Sequence, residues 1–340
     1  MLTLSEADGP VARQLDTICP MRTHLLRLTL AFLLLPIFVL FGCGGSGSST
    51  PLGPAVYFYY VADTGNNRIV RYESFASPTG FASYGTVGSA QNQLMSPTDV
   101  AFDSQGRIYI VDQGNNRIVR IDSDFIGSNY VTYAGPTIPF SAPTGVALDN
   151  LNRIYVADTG NHRIVRFDDM TGTNVVAFGT VGTSNATGVF GTPYNVRIDS
   201  NEYIYVSDSS LNRVVRFSDM SGTGWTVLST FPSSTSKTLN GPTGLEIDFQ
   251  NHIYVSDTGN NRIVMFTDIT GATEAEWDSG GVLKGAKGLT VLGADQILIA
   301  DTGNSRIYRI IDINGSSPSS YGSPGSGTDQ LLNPSSVRAH

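Results

Sequence analysis

One segment comes back six times. ADTGNNRIVR at residues 62–71 returns as VDQGNNRIVR at 111–120 and ADTGNHRIVR at 157–166, with looser copies beyond. In register, Asp63, Asp112, Asp158, Asp208, Asp257 and Asp301 occupy one position, at intervals of 49, 46, 50, 49 and 44 residues. A unit this long that contains only strand and turn signals predicts propeller blades, because one such unit cannot bury its own apolar faces. The strand signals are runs such as RIYIVD and RIYVAD, rich in β-branched and aromatic residues and bounded by turn formers. No amphipathic helix pattern follows residue 44.

The best-preserved unit predicts four antiparallel strands. The first opens at Pro97 and runs to Asp103, the second spans Arg107 to Val111, the third spans Arg117 to Asp122, and a looser fourth precedes a long connection. Proline at a strand start costs no ladder hydrogen bond. Residues 333–340 (NPSSVRAH) align with 96–103 (SPTDVAFD), yet no such strand precedes the first unit near Val56. The C-terminal strand is therefore expected to supply the inner strand of the first blade and so remove the free sheet edges of an open ring. The expected fold class is all-β: a six-bladed propeller of four-stranded antiparallel blades, closed in this way, over residues 55–340.

The pattern Pro-x-Gly-Val-Ala-x-Asp followed by Ile-Tyr-Val-Ala-Asp-Thr-Gly-Asn-x-Arg-Ile resembles the NHL repeat family of six-bladed propellers. The resemblance covers about residues 55–340, in six registered copies. It implies a module that binds proteins or peptides, or RNA through a basic face. It also allows catalysis, since an NHL-like peptidylglycine amidating lyase uses zinc and gluconolactonase-like propellers hold a divalent metal in the channel.

The repeated polar residues read as framework. Each Asp at a strand end is expected to accept backbone N–H groups two residues on, with the following Gly supplying positive φ. The Arg five residues later (Arg68, Arg117, Arg163, Arg213, Arg262, Arg306) is placed to pair with an Asp carboxylate. Sixfold repetition is what a folding need produces, whereas a site on a ring draws different residues from different blades. The fourth unit departs, with Ser209-Ser210-Leu211 where the others carry Thr-Gly-Asn or Gln-Gly-Asn. A change of turn type is expected there.

Charge argues against nucleic acid. The chain has 21 Lys and Arg and 29 Asp and Glu, three of each before Cys43, and the cations beyond that point are Arg of the repeats plus Lys237, Lys284 and Lys287. A net charge of −8 with its arginines committed to blades leaves no phosphate-binding face. Zinc needs about three converging His, Cys or carboxylate ligands. His162, His252 and His340 fall at different ends of the repeat frame, the first two as exposed turn residues, so no cofactor is expected. Calcium or zinc belongs to the alternative reading, a metal-dependent lyase or lactonase in the channel.

Function is sought where the repeat breaks. After the inner-strand Pro the background is Thr-Gly, and Asp99, Tyr194, Asn195 and Lys287 depart from it. These four are the candidate ligand-binding residues at the channel mouth, walled by the connections 85–96, 179–192 and 230–241. The expected activity is non-catalytic binding of a protein, peptide or polysaccharide by a monomer.

The N-terminus is of another kind. Residues 25–41 (LLRLTLAFLLLPIFVLF) follow Arg22 and end in Leu40-Phe41-Gly42-Cys43, which is the organisation of an export signal; the apolar core is short of the roughly 20 residues a bilayer crossing needs. Leu40-x-Gly42-Cys43 resembles a bacterial lipobox, which implies a lipid on Cys43 and membrane attachment at the cell envelope, in the outer membrane or at the cell surface. Met21 also opens a signal of normal proportions. Residues 1–43 thus read as leader and signal peptide and 44–54, GGSGSST and its flank, as a flexible tether. The only other cysteine is Cys19, in the leader, so no disulfide is expected in the domain.

Overall fold

The computed structural model describes residues 57–340 apart from 75–78, 124, 232–233, 272–273 and 294–295, and the side chains of 234–236. The leader, Cys43, the tether and Val56 lie outside the described residues. Six four-stranded antiparallel sheets form the ring. The second blade shows the plan: Pro97–Phe102 innermost, then Ile108–Asp112, Arg117–Ile121 and Val131–Tyr133. The inner strands of the third to sixth blades are Gly145–Leu148, Pro193–Ile198, Leu245–Ile247 and Leu289–Leu292, each packed against the next.

The first blade is closed by the other end of the chain. Ser336–Ala339 pairs antiparallel with Tyr59–Asp63, in the register Tyr59 to Ala339 and Ala62 to Ser336. Beyond the strand, Phe58 and His340 exchange N–H···O bonds of 3.0 Å in both directions. The predicted closure is therefore present.

Runs such as IYIVD are apolar on both faces because each blade is covered on both. In Ile108–Asp112, Ile108 and Ile110 point into a core shared with Ala62 and Ile69 of the first blade, while Tyr109 and Val111 point into one shared with Val146 and Val156 of the third. Six such cores lie between the blades. Alternation with period two thus survives, and what alternates is the neighbour rather than burial.

The repeated Asp is framework, by a different geometry from the one expected. Asp63 is wholly buried and accepts Leu332 N–H at 2.7 Å from the connection that enters its own blade's inner strand, not an N–H two residues on. Asp112, Asp158, Asp257 and Asp301 do the same with Met95, Ser141, Asn240 and Lys284. The second oxygen accepts the amide of the Asn three residues on and the Nε of the Arg five residues on. The Asp–Arg distance is 2.7 Å for Arg68, Arg117, Arg163, Arg262 and Arg306. Arg68 continues to the carbonyls of Ser326, Gly327 and Gln330. Strand end, turn and incoming connection are held by one carboxylate and one guanidinium.

The glycine of the turn also has another role. Positive φ falls two residues later, on Asn67, Asn116, His162, Asn212, Asn261 and Ser305. The glycines themselves are needed for close approach: a Cβ on Gly65, Gly114, Gly160, Gly259 or Gly303 would lie within 2.7 Å of the connection. In the fourth blade the pair is inverted. Ser210 stands in the turn and Gly191 faces it, and a Cβ on Gly191 would lie 2.2 Å from Ser210 Oγ. The short helical turn of the other five is absent there, as expected, and Arg213 is displaced with it, reaching Asp208 through Nη2 at 3.2 Å.

Two inter-blade clamps occupy the same turn. Thr64, Thr159, Thr258 and Thr302 each donate at 2.7 Å to the carbonyl of Pro97, Pro193, Ala286 or Pro334 in the next blade. Asn67, Asn116, Asn212 and Asn261 accept N–H groups of Ser96, Ala142, Gly241 and Gly285, also in the next blade. His162, expected to be an exposed turn residue, fills that clamp position and meets Gly191 O through Nδ1. His252 is likewise engaged, its Nδ1 2.8 Å from Asp248 Oδ2.

Candidate functional site

Pro97 pairs opposite Asp112, so the Asp-Thr-Gly-Asn turns lie at the end of the ring where the inner strands begin. We call this the proline end and the other, where the first hairpins turn, the hairpin end. Four charged side chains from four blades meet in the channel between them. Asp99 of the second blade, Arg197 of the fourth, Glu246 of the fifth and Arg338 of the first form a closed circuit. Arg197 Nη2 lies 3.3 Å from Asp99 Oδ2 and its Nε 3.4 Å from Glu246 Oε2; Arg338 Nη2 lies 3.4 Å from Asp99 Oδ1 and its Nη1 contacts Glu246 Oε2.

The crossing distances are short because small residues line the blades between: Gly145 and Ala147 in the third, Gly288 and Thr290 in the sixth. Asp99 also accepts Ser336 Oγ–H at 2.6 Å and Val146 N–H at 3.3 Å, and is 1% exposed. The arginines donate onward to Val146 O at 3.1 Å and Leu289 O at 2.8 Å. Two cations facing two carboxyl groups in one largely buried circuit offset part of the desolvation that each would incur alone.

Towards the hairpin end the circuit opens onto a cavity of about 220 Å³. Ala101, Phe102, Leu148 and Ile198 supply apolar wall, and Arg197, Glu246, Thr290 and Arg338 supply the polar part. Thr290 Oγ1 and Glu246 Oε1 have no hydrogen-bond partner among the described residues. Burial pushes the Glu246 carboxyl from its ordinary 4.5 up to about 7, Arg197 pulling the other way and Asp99 adding to the rise. The folded protein thus holds a proton between pH 4.5 and 7 that the unfolded chain releases. Stability should therefore fall as pH rises through that window, by on the order of 3 kcal/mol, and level off above it. Denaturant midpoints from pH 4.5 to 8 check this, and Glu246→Gln should flatten the profile.

The sequence-predicted mouth residues separate into two groups. Lys287 and Tyr194 come together at the proline end, with Lys287 Nζ 5.8 Å from the Tyr194 ring centre, across Gly244 of the blade between them. Asn195 is buried; its N–H donates to Ser207 Oγ at 3.1 Å, and its Oδ1 has no partner among the described residues. Asp99 makes no hydrogen bond or ion pair with these three, and its carboxylate is committed inside the channel. The connections expected to wall the mouth form short ladders instead, Thr86–Val87 with Gln93–Leu94 and Thr180–Val181 with Val189–Phe190, and serve as partners of the repeat arginines.

Arg197, Glu246, Thr290 and Arg338 were not singled out by the sequence. The signal lay two residues beyond the pair compared, at the fourth position after the inner-strand Pro, where Ala101 and Ala147 set the background. Among the described residues no three His, Cys, Asp or Glu side chains gather as a metal site.

The NHL repeat family matches residues 94–121, 140–167 and 239–266. No curated protein sequence gives a match. Among solved structures, a streptogramin B lyase superposes with a TM-score of 0.57 at 15% identity, covering 79% of this chain and 80% of that one. A virginiamycin B lyase from Staphylococcus aureus gives 0.55 at 18%, covering 80% and 82%. A chain of a nidogen/laminin complex gives 0.63 at 17%, covering 84% and 98%. At these identities the likeness is one of fold. The chain thus carries NHL repeats, matched at three of its six registered copies, and folds as a six-bladed β-propeller.

Proposed function

We propose that the protein is an exported, lipid-anchored binding module, held at the cell envelope through Cys43, that recognises a protein, peptide or polysaccharide on one face of its ring. The observation that carries this reading is the ionic circuit. The charges of Asp99, Arg197 and Arg338 are spent on one another and on Glu246, which leaves a preformed cavity with few unspent polar groups. Such a recess holds a ligand by shape and hydrogen bonds. Lys287 and Tyr194 offer a second contact at the proline end. The nidogen/laminin complex is a case of this fold in a protein assembly.

A metal-dependent lyase or lactonase is the second reading. Glu246, lifted to about 7 inside a cavity, has the character of a general acid or base, and two of the structural neighbours are lyases. One experiment separates the two. The purified chain is screened against a peptide library and a glycan array, and each retained ligand is eluted and weighed by mass spectrometry, with metal content and the melting temperature in calcium and zinc measured alongside. Retained ligands of unchanged mass and no stoichiometric metal support the module. A ligand recovered cleaved, or a metal that raises the melting temperature, turns the assignment to the enzyme.

A further inference from the structure

We propose that the cavity at the hairpin end of the channel binds one saccharide unit of a glycan, in a reading that rests on the binding module above. Size sets the first limit. About 220 Å³ holds roughly seven waters at about 30 Å³ each, room for one pyranose ring inside the recess with any further part of a ligand left outside it.

Charge sets the second limit. Above about pH 7, where Glu246 is ionised, the two arginines and two carboxylates cancel, so neither an anion nor a cation gains from the field. A neutral ligand with many hydroxyls still gains, because a carboxylate oxygen and guanidinium N–H groups make charge-assisted hydrogen bonds to it. The unspent groups are of the required kind. Glu246 Oε1 can accept from a hydroxyl, and Thr290 Oγ1, on a residue 5% exposed and lining the cavity, can donate or accept. Opposite them Ala101, Phe102, Leu148 and Ile198 offer an apolar wall for the C–H face of a pyranose ring.

The test titrates the full chain with methyl glycosides of neutral hexoses and N-acetylhexosamines, read by saturation-transfer NMR and calorimetry. At least one glycoside should bind. Thr290→Val, which removes the hydroxyl and keeps the shape, should weaken it about tenfold, and Ala101→Leu, which pushes a bulky side chain into the space a ring would occupy, should abolish it. Val181→Thr, on an exposed outer connection, should leave affinity unchanged. Binding that survives Ala101→Leu overturns the proposal; if that variant fails to fold by circular dichroism, unchanged affinity in Thr290→Val overturns it instead. A peptide ligand without any glycoside, or a glycoside indifferent to both variants, sinks the cavity assignment and leaves the module standing. Absence of any ligand in both screens removes both.

Discussion

A chain ending at Leu332 is expected to show no cooperative unfolding transition, although it keeps every copy of the repeat turn. The eight residues removed hold the inner strand of the first blade. Without Ser336–Ala339, Tyr59–Asp63 becomes a free edge, Val337 leaves the core between the sixth and first blades, and Asp99 and Glu246 lose Arg338. An exposed strand edge flanked by two opened cores is an aggregation surface rather than a local defect. The measurement is a thermal melt by circular dichroism with dye binding to exposed apolar surface, set against a chain that begins at residue 55. That second truncation should melt like the full protein. A native melt from the chain ending at Leu332 would show that closure contributes little.

Replacing Asp99 by Ala is expected to cost about 3–5 kcal/mol, the penalty for removing one partner from a buried ionic group. Arg197 and Arg338 would both face an uncompensated neighbour, and Ser336 Oγ and Val146 N–H would lose their acceptor. Asp99→Asn should recover only part of this, because the amide keeps the shape and one acceptor but not the charge. The triple change Asp99→Ala, Arg197→Met, Arg338→Met should be less damaging than Asp99→Ala alone, since it removes the stranded charges together with their partner. Urea unfolding of the set measures these differences. If Asp99→Ala stays within 1 kcal/mol of the parent, roughly the scale of an exposed ion pair, the circuit is not a coupled unit.

The framework was legible in the sequence because it is written six times. Asp63 and its copies are five residues from their arginines, so recurrence reveals the pairing and its structural role. Which backbone donors those carboxylates accept was not legible: Leu332 and Asp63 are neighbours only in a closed ring. The role of the glycine is hidden in the sequence for a related reason. A residue without a side chain can serve a backbone angle or a close approach, and the inversion at Ser210 and Gly191 shows it is the approach that matters. The circuit was harder still. Asp99 and Arg197 lie in different blades with a third between them, so no local spacing connects them. Only comparison across copies at the fourth position after Pro, where Arg197, Glu246, Thr290 and Arg338 replace a background of Ala, carries that information.

The antiparallel pairing of Phe58 with His340 fixes where the chain joins the ring. His340 follows the end of an inner strand, stacked on Phe102 with ring centres 4.6 Å apart, and Phe102 lines the cavity. The first described strand therefore starts at the hairpin end, beside the cavity, so that closing the ring and walling the cavity fall to the same few residues.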